Sequence, residues 1–359
     1  MKLNKWQKVG SGLILLVGLL VIGGGLATAV SRHAAAQTPK TPSGNPPSYL
    51  PVVAKPGAPP PQIGGCDVFP DDNIWNTAVD TLPVHPNSAN YINAIGADSG
   101  LHPDFGSGVW PPGSNSPIGI PFVVVPASQP DVPVTFFWWP EQSDDGPYPI
   151  PPDAPIEGGP DPENDGDRHV LVLQQGDCIL YEMYYAFPQE DDSWEAANGA
   201  VYDLNSHALR PDGWTSADAA GLPILPGLVR YAEVASGEIR PALRFTAPET
   251  QAAHVWPARH DASSETNPNL PPMGLRLRLR ADYDISDFSP EIQVLLQAFK
   301  TYGIILADNG SPWYISGAPD ERWDNEILHQ IDVITGADFE VVDAASLMID
   351  PDSGQAQRP

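Results

Sequence analysis

Short β-type runs separated by proline- and glycine-containing turns dominate this chain and constrain its fold more than any other feature. Seven runs are rich in β-branched, aromatic or alternating apolar residues: 121–126, 132–139, 169–174, 178–187, 238–247, 254–259 and 274–281. Strands at this spacing are typical of sandwiches and barrels rather than of parallel α/β sheets. The sequence therefore predicts a mainly β fold, an antiparallel, jelly-roll-like β-sandwich with a few short peripheral helices near the C-terminus.

Two of these runs make more specific predictions. The run HVLVLQ (169–174) is apolar on both faces, which predicts a strand buried between two layers. The run GLRLRLR (274–280) alternates strictly, so its leucines face one way and Arg276, Arg278 and Arg280 face the other. Three interpretations of the arginine face stay open: pairing with carboxylates of a facing strand, an anion pocket for an acidic polysaccharide, or a solvated surface.

Helix signals are few. Ser289, Pro290 and Glu291 form a helix start, the following apolar residues keep the helical spacing, and Gly303 ends it. A second helix is predicted over 324–335, with Gly336 as its C-terminal cap. A shorter helix is predicted near 87–95.

The N-terminal region predicts export. Residues 1–36 place three lysines before a long apolar run and a small-residue Ala-Ala-Ala site, which favours a signal peptide, with an uncleaved membrane anchor as the alternative. Either way the body faces outward, so we expect an extracellular or cell-surface protein. Residues 37–65 form a Pro-rich linker, 66–345 a single β-rich globular domain, and 346–359 a disordered tail.

The charge of the chain limits the classes of partner that it can bind, and its cysteines predict a disulfide. The formal net charge is −27, and every acidic residue lies at or beyond Asp67. Such a body repels nucleic acid and anionic lipid, so we expect no nucleic-acid partner and membrane contact only through the N-terminal segment. The two cysteines, Cys66 and Cys178, are expected to form a disulfide in an exported protein.

One acidic loop resembles half of a calcium loop in its spacing. Carboxylates alternate around Gly166, and the candidate ligands are Asp161, Glu163, Asp165 and Asp167. The bidentate glutamate expected five residues after Asp167 is missing, because position 172 is valine. No cofactor is required by this pattern, calcium is possible, and the alternative is a solvated acidic loop. The histidines show neither H-x-H nor H-x-x-x-H spacing, so zinc or copper is not indicated.

Two sets of residues are candidates for catalysis. His260 lies between Arg259 and Asp261, so it could move a proton while the arginine neutralises a substrate carboxylate. With His169 and Tyr184, these residues suit a lyase. A hydrolase would instead use a pair of carboxyl groups such as Glu182 and Asp308.

Aromatic and basic side chains supply candidate substrate contacts. The flat faces of Trp214, Trp256 and Trp313 suit sugar rings, and Arg276 with Arg278 suits acidic sugars. The chain has no G-x-S-x-G elbow, glycine-rich phosphate loop or H-E-x-x-H motif, so serine hydrolases, nucleotide enzymes and metalloproteases are unsupported.

These features favour an exported protein that acts on extracellular polysaccharide, with hydrolase and lyase not distinguished. The alternative is a non-catalytic glycan-binding or cell-surface adhesion module, in which aromatic side chains bind and histidines are structural. A third hypothesis is a structural envelope protein without a cleft.

Overall fold

The computed structural model describes residues 60–163 and 166–358. The predicted export segment, 1–36, and nearly all of the predicted linker lie outside these residues. In the described ranges, none of the helices has both the length and the apolar composition needed to cross a bilayer.

Strands arranged in several sheets make up most of the regular structure. The strands are β1 Gln62–Ile63, β2 Cys66–Asp67, β3 His102–Asp104, β4 Phe122–Val125, β5 Val134–Phe136, β6 Val170–Gln174, β7 Ile179–Tyr184, β8 Phe187–Pro188, β9 Trp194–Ala196, β10 Asn198–Asp203, β11 Leu243–Ala247, β12 Arg276–Leu279, β13 Ile304–Asn309, β14 Tyr314–Ser316 and β15 Phe339–Val341. A six-stranded sheet has the order β15-β12-β13-β11-β14-β3, and a four-stranded sheet has the order β10-β7-β6-β4. Smaller sheets are formed by β5-β9-β8 and by β1-β2.

The mainly β prediction is confirmed, but the antiparallel sandwich is not. Among the described residues, four strand pairs are parallel: β4 with β6, β5 with β9, β11 with β13, and β14 with β3. Parallel partners need connections that cross over the sheet, and the short runs of the sequence do not encode which strands those connections bring together.

The four-stranded sheet separates two hydrophobic cores. On β6, Leu171 and Leu173 belong to the larger core, which also contains the six-stranded sheet. Val170 and Val172 point the other way into a smaller core that contains Trp194 of β9. The predicted burial of this strand on both faces is confirmed.

Both faces of the alternating strand β12 are buried as well. Leu277 and Leu279 are fully buried, while Arg278 lies directly opposite Glu340 of β15 and contacts its carboxylate at 2.7 Å. Arg276 donates a 2.7 Å hydrogen bond to the Tyr302 carbonyl oxygen, and burial lowers its pKa to about 9. Cross-strand pairing, the first interpretation of the arginine face, holds for Arg278. Arg276 and Arg278 therefore lie in the core and do not reach a substrate.

The α-helices are short: α1 Ser88–Ile95, α2 Tyr231–Ser236, α3 Pro290–Thr301 and α4 Asn325–Leu328. The remaining helical turns are 3-10 turns, at Ile74–Asn76, Pro140–Gln142, Leu225–Gly227, His329–Val333, Gly336–Asp338 and Ala345–Leu347. The helix at 87–95 and α3 agree with their sequence predictions. The helix predicted over 324–335 is α4 followed by a 3-10 turn, and Gly336 begins a further 3-10 turn instead of capping a helix.

The predicted disulfide is present. Cys66, on β2, bonds to Cys178, which directly precedes β7, across a sequence separation of 112. A bond that closes so long a loop removes much conformational freedom from the unfolded chain. It also indicates a non-reducing environment for the folded protein.

The C-terminal segment differs from its prediction. Residues 346–359 were expected to be disordered, yet the described part, to 358, packs on the body. The Trp256 indole N–H donates to the Ser353 carbonyl oxygen at 2.8 Å, and Arg259 contacts the Asp352 carboxylate at 2.6 Å. The polar composition of the segment did not reveal these contacts, because the residues that it contacts lie far away in the sequence.

Candidate functional site

Two adjoining pockets are lined by side chains that can exchange protons or bind a ligand. The first, called the acid pocket here, has a volume of about 280 Å³ and is lined by Trp139, Asp167, Tyr184, Asp218, His260, Asp308 and their neighbours. The second, called the groove, has a volume of about 610 Å³, and its polar lining includes His102, Asp104, Glu157, Asp167, Tyr314 and His329. Asp167 lines both, so the acid pocket and the groove meet there.

A buried arginine organises the floor of the acid pocket. Arg244, on β11, donates hydrogen bonds to the Asp218 carboxylate at 3.0 Å and to the Ser316 hydroxyl at 2.8 Å. The same Nη2 lies 3.9 Å from the carboxylate of Asp308, which is near the end of the adjacent parallel strand β13. The side chains of Arg244 and Asp218 are 3% and 0% exposed, whereas that of Asp308 is 27% exposed. Asp308 is therefore the member of this group that a ligand in the pocket can reach.

The environment raises the pKa of both carboxyl groups. Burial raises the pKa of Asp308 to about 7, the negative charge of Asp218 adds to this effect, and Arg244 opposes it. Burial likewise raises the pKa of Asp218 to about 6 against the opposing effect of Arg244. Asp308 therefore exchanges its proton near neutral pH, as a general acid requires.

A second ion pair lies between the acid pocket and the groove. Glu157 Oε2 is 2.5 Å from His169 Nδ1, and His169 Nε2 donates to the Ala217 carbonyl oxygen at 2.9 Å. Burial alone would lower the pKa of His169, but the charge and hydrogen bond of Glu157 outweigh it and raise the pKa to about 9. The imidazole is therefore positively charged at neutral pH. Burial opposes ionisation of Glu157 too, yet His169 holds the pKa of that carboxyl below its ordinary value.

Tyr184 and His260 also belong to the polar lining of the acid pocket. Burial raises the pKa of Tyr184 to about 12, and the carboxylates of Asp167 and Asp308 contribute, so its hydroxyl keeps its proton at neutral pH. His260 places Nδ1 2.8 Å from the Ala219 carbonyl oxygen. The structure thus brings together four of the residues predicted from sequence, namely His260, Tyr184, Asp308 and Asp167, and places His169 directly behind them.

Exposed aromatic side chains surround the acid pocket. Phe137, Trp138 and Trp139 are consecutive and are 42%, 52% and 38% exposed. The Trp138 ring stacks on Tyr185 with 5.2 Å between centroids and 10° between planes, and Trp139 lines the pocket itself. The run 132–139 contains these residues, but the sequence predicted only a strand there. The three consecutive large aromatic residues were the signal available in the sequence.

Besides His169, two residues predicted to be catalytic line neither pocket. Glu182 is fully buried, and its carboxylate accepts hydrogen bonds from the backbone N–H groups of Ile224 and Leu225. Arg259 is buried and contacts Arg210 and the C-terminal segment through Pro351 and Asp352. Both side chains stabilise loops and cannot contact a substrate where they lie.

The predicted substrate-binding tryptophans also have structural partners. Trp313 is fully buried between Phe245 and Phe339, and its indole N–H donates to the Gly96 carbonyl oxygen. Trp256 is partly buried against the larger core, and its indole N–H donates to the Ser353 carbonyl oxygen. Trp214 is half-buried and lies under the guanidinium of Arg210 at 5.6 Å.

The described residues of the predicted calcium loop lie in two different places and do not form one set of ligands. Asp161 accepts a hydrogen bond from the Glu163 backbone N–H within an exposed turn, and Asp165 lies outside the described residues. Asp167 lies instead beside Glu157 and His169, with one potential ligand atom of each residue within 4.8 Å of the others. His169 already uses both ring nitrogens in hydrogen bonds, so a cation here would have to displace Glu157 from Nδ1.

Sequence reasoning missed Asp104, Glu157 and Arg244. Burial raises the pKa of Asp104 to about 6, and the negative charge of Glu157 contributes. None of these residues belongs to a local motif, since each comes from a different segment and meets the others only in the folded chain. Arg244 could have been noticed as a charged residue inside an otherwise apolar strand, a position that usually implies a buried ion pair.

The chain matches no protein-family model, no curated protein and no solved structure.

Proposed function

We propose that this protein is an exported glycoside hydrolase that acts on extracellular polysaccharide, with Asp308 as the proton donor. The observation that carries the proposal is the partly exposed carboxyl of Asp308 in the acid pocket, with its pKa raised to about 7. Asp167, exposed on the same pocket, supplies the second carboxyl group that glycoside hydrolysis requires. One group protonates the leaving oxygen while the other activates water or attacks the sugar.

The aromatic side chains around the pocket support a sugar substrate. Trp139 forms part of the pocket wall, and the stacked pair Trp138–Tyr185 extends an apolar surface from it. Sugar rings present flat apolar faces that pack against such rings, while Tyr184 and His260 offer hydrogen bonds to hydroxyl groups. Arg244 acts as a positioning residue, because its guanidinium lies 3.9 Å from the carboxyl of Asp308 and is itself held by a hydrogen bond to the buried Asp218.

The charges around the site favour a neutral polysaccharide and hydrolysis over a uronate and elimination. A lyase neutralises the uronate carboxylate with a cation, and Arg259, the residue expected to do so, is bound to the C-terminal segment. Among described residues, no lysine or arginine lines either pocket. Several carboxyl groups do, and they would repel an acidic sugar.

We also propose a more specific architecture for this mainly β fold. Leu171 and Leu173 of the four-stranded sheet share one core with Phe245 and Ile304 of the six-stranded sheet. This shared core supports a sandwich in which these two sheets are the layers.

The test is a screen of the full-length protein on neutral and uronic-acid polysaccharides, measuring both new reducing ends and ultraviolet absorbance from unsaturated products. We expect reducing ends from a neutral polymer without unsaturated products. Asp308→Asn and Asp167→Asn should abolish the signal, whereas Asp80→Asn, an exposed carboxyl outside both pockets, should not. Full activity of Asp308→Asn would refute the assigned role.

A non-catalytic glycan-binding module is the second candidate, and the exposed Trp138, stacked on the half-buried Tyr185, favours it specifically. In that case the wild-type protein would be retained on a glycan column and would release no product from any polymer. Retention would fall with Trp138→Ala and would be unaffected by Asp308→Asn.

A further inference from the structure

Three potential metal ligands meet on the wall of the groove, apart from the acid pocket. They are His102 on β3, and His329 and Asp332 in the 3-10 turn His329–Val333. One ligand atom of each residue lies within 4.8 Å of the other two. His102 and His329 both line the groove, so the cluster opens into a space of about 610 Å³.

The fold holds these three side chains close together. The imidazole of His102 packs on Tyr314, its neighbour across the β3–β14 pair, with 4.3 Å between ring centroids. Its ring is 5.6 Å from that of His329, and within the described residues its ring nitrogens have no hydrogen-bond partner. His329 and Asp332 are one 3-10 turn apart, so they project from the same side, and His329 Nδ1 lies 3.0 Å from Asp332 Oδ2.

We propose that His102, His329 and Asp332 bind a divalent transition metal ion, with zinc preferred. Two imidazoles and one carboxylate are a donor set found in zinc sites that keep one coordination position open. Ligands at about 2.0–2.2 Å from zinc lie roughly 3.4 Å from one another in a tetrahedral site. His329 Nδ1 and Asp332 Oδ2, 3.0 Å apart, are already near that separation. His329 and Asp332 are 48% and 46% exposed, which leaves them free to rotate inward around the packed ring of His102.

The surrounding charge favours a cation. Asp104, Glu157 and Asp167 also line the groove, and their negative potential attracts a positive ion to it. Since His102 and His329 line the groove, an ion that they hold would be accessible to water or to an oxygen atom of a ligand lying there. This site does not depend on the hydrolase assignment, because its donors are outside the acid pocket.

The other cluster of possible ligands, Glu157, Asp167 and His169, is less suited to this ion. Both ring nitrogens of His169 make hydrogen bonds, one to Glu157 and one to the Ala217 carbonyl oxygen. A metal there must break an ion pair, whereas in the His102 cluster it replaces only the proton shared by two exposed side chains.

Zinc titration of the full-length protein without a polyhistidine tag tests the proposal by calorimetry. We expect one ion per chain, with affinity falling at least tenfold in His102→Ala and in His329→Asn. Glu157→Gln removes a nearby negative charge but no ligand, so its affinity for zinc should fall by less than tenfold. His85→Ala should bind as the wild type does, since His85 lies outside both pockets. Cobalt should give the visible absorption of a tetrahedral site in the wild type and lose it in the same two variants.

Thermal unfolding provides a second test, in which zinc binding is measured as a rise in Tm. Because a ligand that binds only the native state stabilises it by mass action, zinc should raise the Tm of the wild type and of Glu157→Gln. It should not raise the Tm of His329→Asn, an exposed substitution that leaves the core intact. Absence of zinc binding by the wild type, or its loss in Glu157→Gln with retention in His102→Ala and His329→Asn, would overturn the assignment.

Discussion

Arg244 donates a 3.0 Å hydrogen bond to the carboxylate of Asp218, and both side chains are almost completely buried. Removing one partner of a buried ion pair leaves an uncompensated charge in a medium of low polarity. We therefore expect Arg244→Met to lower the free energy of unfolding by roughly 3–5 kcal/mol. Urea unfolding followed by circular dichroism measures this change.

Two further variants test whether the loss of stability comes from breaking the buried ion pair or from removing any arginine. Arg322 pairs with Asp320 at the surface with its side chain 58% exposed, so Arg322→Met should leave the free energy of unfolding nearly unchanged. The double variant Arg244→Met with Asp218→Asn should recover part of the loss, because no buried charge is then left alone. Equal losses in the single and double variants would show that packing, and not charge, determines the cost.

Asp308 should control the pH dependence of the proposed hydrolysis. With its pKa near 7, the proton needed for the leaving group is lost as pH rises through about 7, so kcat/KM should fall on that side. Replacing a general acid typically costs about 10²–10⁴ in rate, so Asp308→Asn should lose at least that lower factor. Any residual activity of this variant should no longer decline through pH 7.

The control for this profile uses a substrate with a good leaving group, such as an aryl glycoside, which needs no protonation. Asp308→Asn should lose far less rate on the aryl glycoside than on the polymer. An equal loss on both substrates would mean that Asp308 does not act as the proton donor.

Glu182 should make the protein less stable as pH rises. Burial raises its pKa from an ordinary 4.5 to about 7, although two backbone N–H groups oppose the shift. The native state therefore holds a proton that the unfolded chain releases. Its contribution is complete below about pH 4.5 and is lost as pH rises through 7, with a size of about 3 kcal/mol.

Unfolding measured at several pH values between 5 and 8 checks this effect. Glu182→Gln keeps an oxygen for the backbone N–H groups and carries no charge, so its stability should fall less than that of the wild type over this interval. Glu195→Gln, an exposed substitution on β9, should follow the wild-type curve. If the wild type and Glu182→Gln had the same slope, Glu182 would not be the titrating group.

Elements with a strong local pattern could be predicted from the sequence. The doubly apolar run at β6 and the Ser289–Pro290 start of α3 determine their own structure, because their signals lie within a few residues. The disulfide followed from the presence of just two cysteines. Strand pairing did not follow, since the parallel pair β11–β13 is separated by two loops, β12 and a helix.

The candidate site was predictable only in part, for the same reason. Asp308 and His260 were identified as members of promising clusters, but Arg244 and Glu157 come from segments without any motif. The proposed metal ligands His102 and His329 show no ligand spacing, because spacing rules detect only ligands from one segment. The prediction that Arg276 and Arg278 bind substrate was misleading. A row of arginines in an acidic protein can donate hydrogen bonds within the core as readily as to a ligand.

The ordered C-terminal segment gives a final prediction, because truncation after residue 345 would be harmless if that segment were disordered. In the structure, truncation removes two acceptors of Arg259, the Asp352 carboxylate and the Pro351 carbonyl oxygen, and the acceptor of the Trp256 N–H. Leaving a buried guanidinium without these partners should cost roughly 3–5 kcal/mol of unfolding free energy. Asp352→Asn alone should cost under about 1 kcal/mol, because that carboxylate is 77% exposed. Urea unfolding of both variants distinguishes the cases, and an unchanged midpoint for the truncated chain would show that the segment does not support the fold.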